Sequence, residues 1–327
     1  MSSHLSLTRR TLLTGAAALA AAPAIGTVLS GTANAAVPQL GPERPSVYRV
    51  KLGAFEVTTI LDGAIQIDGP HPIFGQNQPA DAVQAFAEQN FLPTGKMEIS
   101  FTPVIVNTGQ DLIMFDTGNG VGRRPNAGKL AATLSQAGFK PEDVTVVVIT
   151  HCHPDHIGGI MEDGKPLFPN TRYVIGETEY NFWSNKDRLA GPTENAAKLT
   201  QANVVPLAEK MTFLKPEGEV VSGVRAINAF GHTPGMMVYH IESEGKRLLI
   251  MADVTNHYVM SVMKPEWHVR FDMDKDAAIA TRKRVLDMLA SERFPVTGYH
   301  MPFPAIGYID KTGDGYRWVQ ASYQLHL

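Results

Sequence analysis

A run of β-branched residues followed at once by a cluster of histidines and an aspartate constrains this chain more than any other feature. The run reads VTVVVI at residues 144–149, and the cluster reads HCHPDH at residues 151–156. A run with so few polar residues is typical of a strand that is covered on both faces, so its sheet lies between two layers. The clustered side chains therefore stand at the carboxyl end of a core strand in a layered α/β domain.

The cluster has the residue types and the spacing of a metal site. Neutral imidazole and carboxylate are ligands that Zn²⁺ and Fe²⁺ accept. His151 and His153 are two residues apart in an extended segment, so they point the same way, toward one metal. Asp155 and His156 follow a turn and can face a second metal beside the first. Cys152 lies between two histidines, and its side chain is expected to point the opposite way, into buried packing.

The order His-x-His-x-Asp-His after a β-branched strand resembles the signature of the metallo-β-lactamase superfamily. Four further pieces resemble that family in order and context. They are Asp116-Thr117-Gly118, Gly231-His232-Thr233-Pro234-Gly235, Asp253 behind the strand at residues 248–251, and Gly298-Tyr299-His300. The resemblance covers roughly residues 48–327, and it implies an α/β fold, the four-layer αββα metallo-β-lactamase sandwich.

Carried over residue by residue, the resemblance implies a site for two metal ions. The first ion would be held by His151, His153 and His232, the second by Asp155, His156 and His300, with Asp253 bridging them. Two divalent ions, with zinc as the default, are therefore the expected cofactors. Asp155 and Asp253 are the expected catalytic residues, because one orients the nucleophile and the other bridges the ions.

Three more residues are expected around the site. Asp116 would orient a ligand histidine, as metal-bound imidazoles usually require, with a plain turn carboxylate as the alternative. Trp183 falls where methyl parathion hydrolase has an aromatic pocket residue, and helix packing is the alternative. Acyl-homoserine lactonases of this superfamily carry a tyrosine three residues after the bridging aspartate, where this sequence has Asn256. The Asn256 amide could still donate a hydrogen bond to a substrate carbonyl. His257 is expected in a pocket wall or at the surface.

The resemblance implies a hydrolase in which a metal-bridging hydroxide attacks an ester, lactone or phosphotriester centre. Within the superfamily the likeness is strongest to methyl parathion hydrolase and its exported relatives. It rests on Tyr48-Arg49, Leu52-Gly53, Phe55-Glu56, His300-x-Pro302-Phe303-Pro304, Ile306-Gly307 and Gly315-Tyr316-Arg317. An acyl-homoserine lactonase of the quorum-quenching type and a non-catalytic metal-binding protein of the same fold are the alternatives.

Charge and composition narrow the partners. The 327 residues carry a formal net charge of −3, so no strong basic field favours nucleic acid. The single cysteine excludes a disulfide within the chain. No apolar run is long enough to predict a membrane-spanning helix. Since no arginine cluster accompanies the ligand motifs, a small, neutral, partly apolar substrate is expected. A homodimer is left open.

The first 35 residues predict an export signal. Arg9-Arg10 precede Leu12-Leu13, an Ala-rich stretch and the small-residue site Thr32-Ala33-Asn34-Ala35. The paired arginines resemble the twin-arginine export signal, which predicts a periplasmic or secreted protein. Residues 36–47 are predicted as an extended leader, and residues 48–327 as the hydrolase domain.

Periodicity elsewhere predicts elements around these loops. Residues 99–106 predict one strand. Residues 81–91 predict a helix with Asp81 as its N-cap. Residues 275–289 predict another helix, on which the basic run Arg282-Lys283-Arg284 forms a solvated face.

Overall fold

The computed structural model describes residues 38–321, 323 and 325–327. The signal peptide predicted at residues 1–35 lies outside these residues. Residues 38–43 belong to a unit of their own and have no regular secondary structure, whereas Arg44–Leu327 form one compact unit. Among the described residues, no helix combines the length and the apolar content that a membrane span needs.

The described residues contain short strands and helices that alternate without a regular rhythm. The strands are β1 (Val47–Leu52), β2 (Phe55–Ile60), β3 (Gly63–Asp68), β4 (Lys96–Phe101), β5 (Val104–Asn107), β6 (Leu112–Phe115), β7 (Val146–Ile149), β8 (Met161–Glu162), β9 (Lys165–Pro166), β10 (Arg172–Gly176), β11 (Met211–Leu214), β12 (Glu219–Val221), β13 (Val224–Asn228), β14 (Met237–Ser243), β15 (Lys246–Ile250), β16 (Val296–Thr297), β17 (Ile306–Thr312) and β18 (Gly315–Gln320). The α-helices are α1 (Ala80–Gln89), α2 (Leu130–Gln136), α3 (Pro154–Ile157), α4 (Glu177–Ser184), α5 (Glu194–Asn203) and α6 (Lys275–Glu292). Short 3₁₀ segments lie at Val121–Arg123, Pro141–Asp143, Lys186–Arg188, Gly191–Thr193 and Val205–Lys210.

Two seven-stranded sheets form the centre of the fold. The first has the order β1-β2-β5-β6-β7-β10-β11, and the second has the order β12-β13-β14-β15-β16-β17-β18. In the first sheet β6, β7, β10 and β11 run parallel, so their carboxyl ends share one edge. In the second sheet β13, β15 and β16 point the same way and also end at a common edge. The loops that follow these strands are therefore the ones that can meet.

Apolar side chains fill three spaces between four layers. The two sheets face each other across a core that includes Phe115, Val148 and Tyr239. The outer face of the first sheet packs against α2, α4 and α5, and α6 covers the outer face of the second sheet through residues such as Val285 and Leu286. The arrangement is the four-layer αββα sandwich that the family resemblance implies.

Two element predictions need correction. Residues 99–106 do not form one strand, because the chain turns at Thr102-Pro103 and divides into β4 and β5. The first half pairs with β3 in a separate hairpin, while the second half enters the first sheet. Asp81 is not the N-cap of α1, which starts at Ala80 behind Pro79. Its carboxylate lies in the first turn, where it still complements the helix dipole.

The β3-β4 hairpin forms a small subdomain over the edge where the loops meet. It packs with α1 around a core that includes Phe74, Val83 and Trp267. Four side chains of the hairpin, Ile65, Ile67, Ile99 and Phe101, line a cavity at the ends of the sheets. The hairpin thus supplies an apolar roof to the region in which the predicted ligands lie.

Candidate metal centre

The structure brings all seven predicted ligands together at the shared edge of the two sheets. His151, His153, Asp155 and His156 follow β7, whereas His232, Asp253 and His300 follow β13, β15 and β16. Two groups form: His151, His153, His232 and Asp253 in one, and Asp155, His156 and His300 in the other. Within each group the potential ligand atoms all lie within 4.8 Å of one another. The grouping matches the two ligand sets that the family resemblance implies.

Asp253 lies between the two groups. Its Oδ2 atom is 3.3 Å from His232 Nε2 and 3.1 Å from His300 Nε2, and its Oδ1 atom is 3.3 Å from His156 Nε2. His151 Nε2 lies 3.9 Å from Oδ2. Because one carboxylate faces histidines of both groups, its position is that of a ligand shared by two ions.

A hydrogen bond on the far side of the ring fixes the tautomer of four of these histidines. Each ring donates from Nδ1 at 2.8–3.1 Å. The four pairs are His151 to Thr150 Oγ1, His156 to Asp116 Oδ2, His232 to Asp272 Oδ1 and His300 to the Ser100 carbonyl. Each Nε2 atom is turned toward Asp253, and in the neutral ring that this hydrogen bond selects Nε2 carries no proton and can bind a metal. Metal-bound histidines in proteins are held in the same way.

Several polar atoms at the centre have no hydrogen-bond partner among the residues that the structure describes. His151 Nε2, His156 Nε2 and Asp253 Oδ1 are buried and form no hydrogen bond with any described residue. A buried polar atom without a partner is costly, so natural proteins seldom leave one. Burial also lowers the pKa of His153 to about 3, which keeps its imidazole neutral, as a metal ligand must be. The donor set fits two divalent metal ions, and its imidazole and carboxylate composition suits zinc.

Asp116 lies directly behind the site, where the sequence analysis expected it. Its Oδ2 atom accepts hydrogen bonds from His156 Nδ1 and Thr150 Oγ1, each at 2.8 Å, and its Oδ1 atom accepts one from the Thr150 amide. Burial raises the pKa of Asp116, whereas the neighbouring His156 opposes that rise. Asp116 thus orients the ring of His156 and fixes the backbone at Thr150, next to His151.

Asp272 and Arg282 form a buried pair behind His232 that the sequence analysis missed. His232 Nδ1 donates to Asp272 Oδ1 at 2.9 Å, and Arg282 Nη2 donates to Asp272 Oδ2 at 2.7 Å. Arg282 Nε also donates to the carbonyl of Val254, the residue after Asp253. Burial raises the pKa of Asp272, but His232 and Arg282 outweigh it, so the pKa lies below its ordinary value.

The prediction of a solvated face at residues 282–284 is therefore wrong for Arg282, which is fully buried. Helical spacing could have revealed this, because Arg282 falls on the same stripe of α6 as Ala278, Val285 and Leu289. A charged residue inside an apolar stripe predicts a buried partner. The sequence alone does not say that this partner is Asp272.

Glu179 is a further buried carboxylate beside the site, and no sequence motif indicated it. It accepts hydrogen bonds from the Cys152 amide at 2.9 Å and from the Gly235 amide at 2.9 Å. Thr233 Oγ1 and Trp183 Nε1 donate to it as well. Burial raises the pKa of Glu179, and these hydrogen bonds oppose the rise. Glu179 ties the loop that carries His151 and His153 to the loop that carries His232.

Trp183 and Cys152 lie in the core beneath the site. The Trp183 ring packs among the apolar residues under the first sheet, and its centroid is 6.1 Å from that of His153. Trp183 does not belong to the lining of the cavity over the ligands. Cys152 is fully buried in the same cluster, as predicted, and burial raises the pKa of its thiol.

The amide of Asn256 is turned toward the metal ligands. Asn256 Nδ2 donates to Asp253 Oδ2 at 3.0 Å, and the side chain is buried. The hydrogen bond predicted for a substrate carbonyl is thus made to the shared carboxylate. His257 lines a separate cavity of about 600 Å³ beside His300, and burial lowers its pKa to about 4.

A cavity of about 280 Å³ opens onto the ligand groups. The side chains of His153, Asp155, Asp253 and His300 form part of its wall. Apolar residues of the β3-β4 hairpin and Phe271 form another part, and Pro154, Arg123 and Arg270 complete the lining. The sequence analysis found no arginine cluster beside the ligand motifs, and it did not anticipate that two single arginines line the cavity. Both arginines lie far from the ligand motifs in the sequence, and the fold brings them to the cavity.

Comparison with known proteins identifies relatives among lactonases. The family model described as "Metallo-beta-lactamase superfamily" matches residues 102–297. An N-acyl homoserine lactonase of Bacillus cereus is 25% identical over 208 residues, which cover 60% of this chain and 76% of that protein. An N-acyl homoserine lactonase of a Bacillus species is 25% identical over 166 residues, covering 50% of this chain and 59% of that protein.

Solved structures give the same result. AidC, described as a dizinc quorum-quenching lactonase, has a TM-score of 0.76 and 29% identity, and the match covers 85% of this chain and 98% of AidC. The hydrolase AbOPH of the β-lactamase superfamily has a TM-score of 0.80 over 86% of this chain and 100% of its own, and its 24% identity supports the fold alone. These relatives do not single out methyl parathion hydrolase, so that narrower likeness stays a prediction. The chain belongs to the metallo-β-lactamase superfamily, as a metal-dependent hydrolase with a site for two ions.

Proposed function

We propose that this hydrolase cleaves lactones and carboxylic esters of small, partly apolar molecules. The observation that carries the proposal is the cavity of about 280 Å³, in which apolar side chains of the β3-β4 hairpin face the ligand groups. Its volume lies near the lower end of small-molecule pockets, roughly 300–1,000 Å³. One side of a bound molecule would rest on Ile65, Ile99 and Phe101 while the other meets the ligands.

The chemistry requires no covalent intermediate on the protein. Two bound divalent ions supply an activated water and polarise the oxygen of the bond to be cleaved. Asp253 offsets their charge from between the ligand groups. The Asp155 side chain, 18% exposed, is the more open of the two carboxylates and is placed to orient the attacking water. Cys152 is no alternative nucleophile, because it is buried and its thiol pKa is raised.

Two lines of support favour lactones and esters. The Bacillus relatives are named as N-acyl homoserine lactonases, and AidC is named as a dizinc quorum-quenching lactonase. A histidine or an aspartate stands at each of the seven ligand positions, which opposes the alternative of a non-catalytic metal-binding protein. The amino-terminal sequence supports the further proposal that the enzyme acts after export, in the periplasm or outside the cell.

Phosphotriesters are the second candidate substrate class. Asn256 stands where acyl-homoserine lactonases carry a tyrosine, and its amide is already hydrogen-bonded to Asp253. Asn256 is also buried and does not line the cavity, so this position presents no donor to a lactone carbonyl there. The sequence likeness to methyl parathion hydrolase supports the same candidate.

A substrate panel on zinc-loaded protein tests the proposal. The panel contains N-acyl homoserine lactones, simple γ-lactones, p-nitrophenyl esters and a p-nitrophenyl phosphotriester, with metal content measured on the same sample. We expect lactone and ester turnover that is lost in His151→Ala. Protein that carries two zinc ions per chain yet hydrolyses neither lactones nor esters would contradict the proposal, and turnover of the phosphotriester alone would establish the second candidate.

A further inference from the structure

Two guanidinium groups line the cavity over the ligands. Arg123 ends a 3₁₀ segment, and its Cζ atom lies 5.9 Å from the centroid of the Phe101 ring. Arg270 precedes α6, and its Cζ atom lies 5.4 Å from the centroid of the Phe271 ring. All four residues belong to the wall of the same cavity. Each cation thus rests on an aromatic ring that orients it at the cavity.

Neither guanidinium group has a carboxylate partner among the described residues. Several other arginines that reach the surface are paired with a carboxylate at short distance. Arg124, the neighbour of Arg123, lies 2.7 Å from Glu162, and Arg247 lies 2.6 Å from Glu292. Neither the Arg123 nor the Arg270 side chain donates a hydrogen bond to a described residue, so their planar, five-donor groups remain free for a ligand.

The charge of the cavity also favours an anion. Asp155 and Asp253 are the carboxylates in its wall, and they face the ions that the site binds. Two divalent ions outweigh two carboxylates, so these carboxylates leave no negative charge to balance the arginines. A concave wall with this excess of positive charge attracts an anionic ligand.

We propose that Arg123 and Arg270 bind a carboxylate of the substrate, at the end remote from the bond that is cleaved. The inference rests on the proposed function and names its substrate class: esters or lactones that carry a free carboxylate. Both arginines are exposed, whereas Asp253 is buried, so the substrate spans the cavity from its rim to the ions. Water adds to the acyl carbon, the acyl carbon–oxygen bond breaks, the alcohol leaves with a proton, and the remote carboxylate is unchanged.

A matched pair of substrates tests the inference. p-Nitrophenyl hydrogen glutarate carries a remote carboxylate, and p-nitrophenyl methyl glutarate carries a neutral ester in its place. We expect the native enzyme to prefer the acid, as the ratio of the two kcat/KM values, by at least about 10-fold, on the scale of charge-assisted hydrogen bonds. Arg123→Met and Arg270→Met should each lower this ratio by about 10-fold, mainly through KM of the acid. High salt should lower it too.

Arg225→Met is the matched control. Arg225 is an exposed arginine of β13 that faces Glu217 at 3.5 Å, away from the cavity, and its loss should leave the ratio unchanged. Calorimetric binding of monomethyl glutarate and of dimethyl glutarate gives a second measurement that requires no turnover. The acid should bind more tightly to native protein, and this advantage should shrink in both cavity variants but not in Arg225→Met.

The outcomes separate the two proposals. If the native protein hydrolyses and binds the acid and the neutral ester alike, or if the cavity variants keep the native ratio, the carboxylate site is refuted and the esterase activity stands. If zinc-loaded protein hydrolyses neither ester, the proposed function fails, and the calorimetric difference still decides whether the arginines bind a carboxylate.

Discussion

Replacing Asp272 by asparagine distinguishes two roles of this carboxylate, in the stability of the fold and in the affinity of the site for metal. Asp272 accepts hydrogen bonds from His232 Nδ1 at 2.9 Å and from Arg282 Nη2 at 2.7 Å, and all three side chains are buried. Asparagine keeps the size of the side chain but removes the charge that balances the guanidinium. Breaking a buried ion pair on one side costs about 3–5 kcal/mol, so the free energy of unfolding should fall by that amount.

The affinity for metal should fall independently of stability. Loss of the carboxylate behind a ligand histidine typically lowers metal affinity by about 10–100-fold. We expect a fall of this size for Asp272→Asn, because the amide has one oxygen for two donors and lacks the charge that strengthens the His232 imidazole as a ligand. Competition with a chromophoric chelator, far below the unfolding temperature, measures the affinity. Urea unfolding of metal-free protein measures the stability.

Two further variants decide the interpretation. Asp310→Asn removes the carboxylate of an exposed pair with Arg317 at 2.8 Å and should change neither quantity by much, since surface pairs contribute about 0–1 kcal/mol. The double variant D272N/R282M removes both buried charges, so it should regain part of the stability while its metal affinity stays low. If Asp272→Asn binds both ions as tightly as native protein, the carboxylate serves only the fold and the argument fails.

Three other predictions concern the ions and the export signal. Asp253→Asn should lower kcat by at least about 10²-fold at saturating zinc, because it removes the charge shared by both ligand groups. Asn256→Ala removes one hydrogen bond from a neutral donor and should lower kcat far less. A near-native kcat in Asp253→Asn would exclude a bridging role. Removing the metal with a chelator should lower the midpoint temperature of thermal unfolding, and adding zinc should restore it, because metal binding is coupled to folding. Equal midpoints with and without chelator would show that the cluster binds no metal that stabilises the fold. Replacing Arg9 and Arg10 together by lysine should leave the precursor in the cytoplasm, as cell fractionation would show. Normal export of that variant would indicate a different signal.

The core strand and the four ligands behind it could be predicted because their signals are local, whereas the four-layer fold and the ligands His232, Asp253 and His300 came from the family resemblance. The apolar run at residues 144–149 and the cluster at residues 151–156 are neighbours in the chain, so a strand and its following loop can be inferred together. The strand assignment at residues 99–106 failed for a related reason. Apolar residues on both sides of Thr102-Pro103 continue the β pattern, and only the pairing of β4 with β3 shows that the chain leaves the sheet there.

The supporting residues could not be predicted because their partners are distant in the chain. Glu179 contacts the amide of Gly235, 56 residues further on, and Asp272 contacts His232, 40 residues before it. Arg123 reaches the same cavity as Arg270 through the packing of the hairpin over both sheets. Such contacts depend on how the layers dock, which residue types and spacing along one segment do not encode.

The division of the ligands between the two sheets has a consequence for the lifetime of the native state. Four ligands follow β7 in the first sheet, and His232, Asp253 and His300 belong to the second, so neither half of the chain carries a complete site. Each ion gains its full ligand set only once the halves have docked, and the halves can part only when ligand bonds are released. The rate of metal dissociation therefore sets an upper limit on the unfolding rate of the loaded enzyme, independent of how stable the metal-free sandwich is.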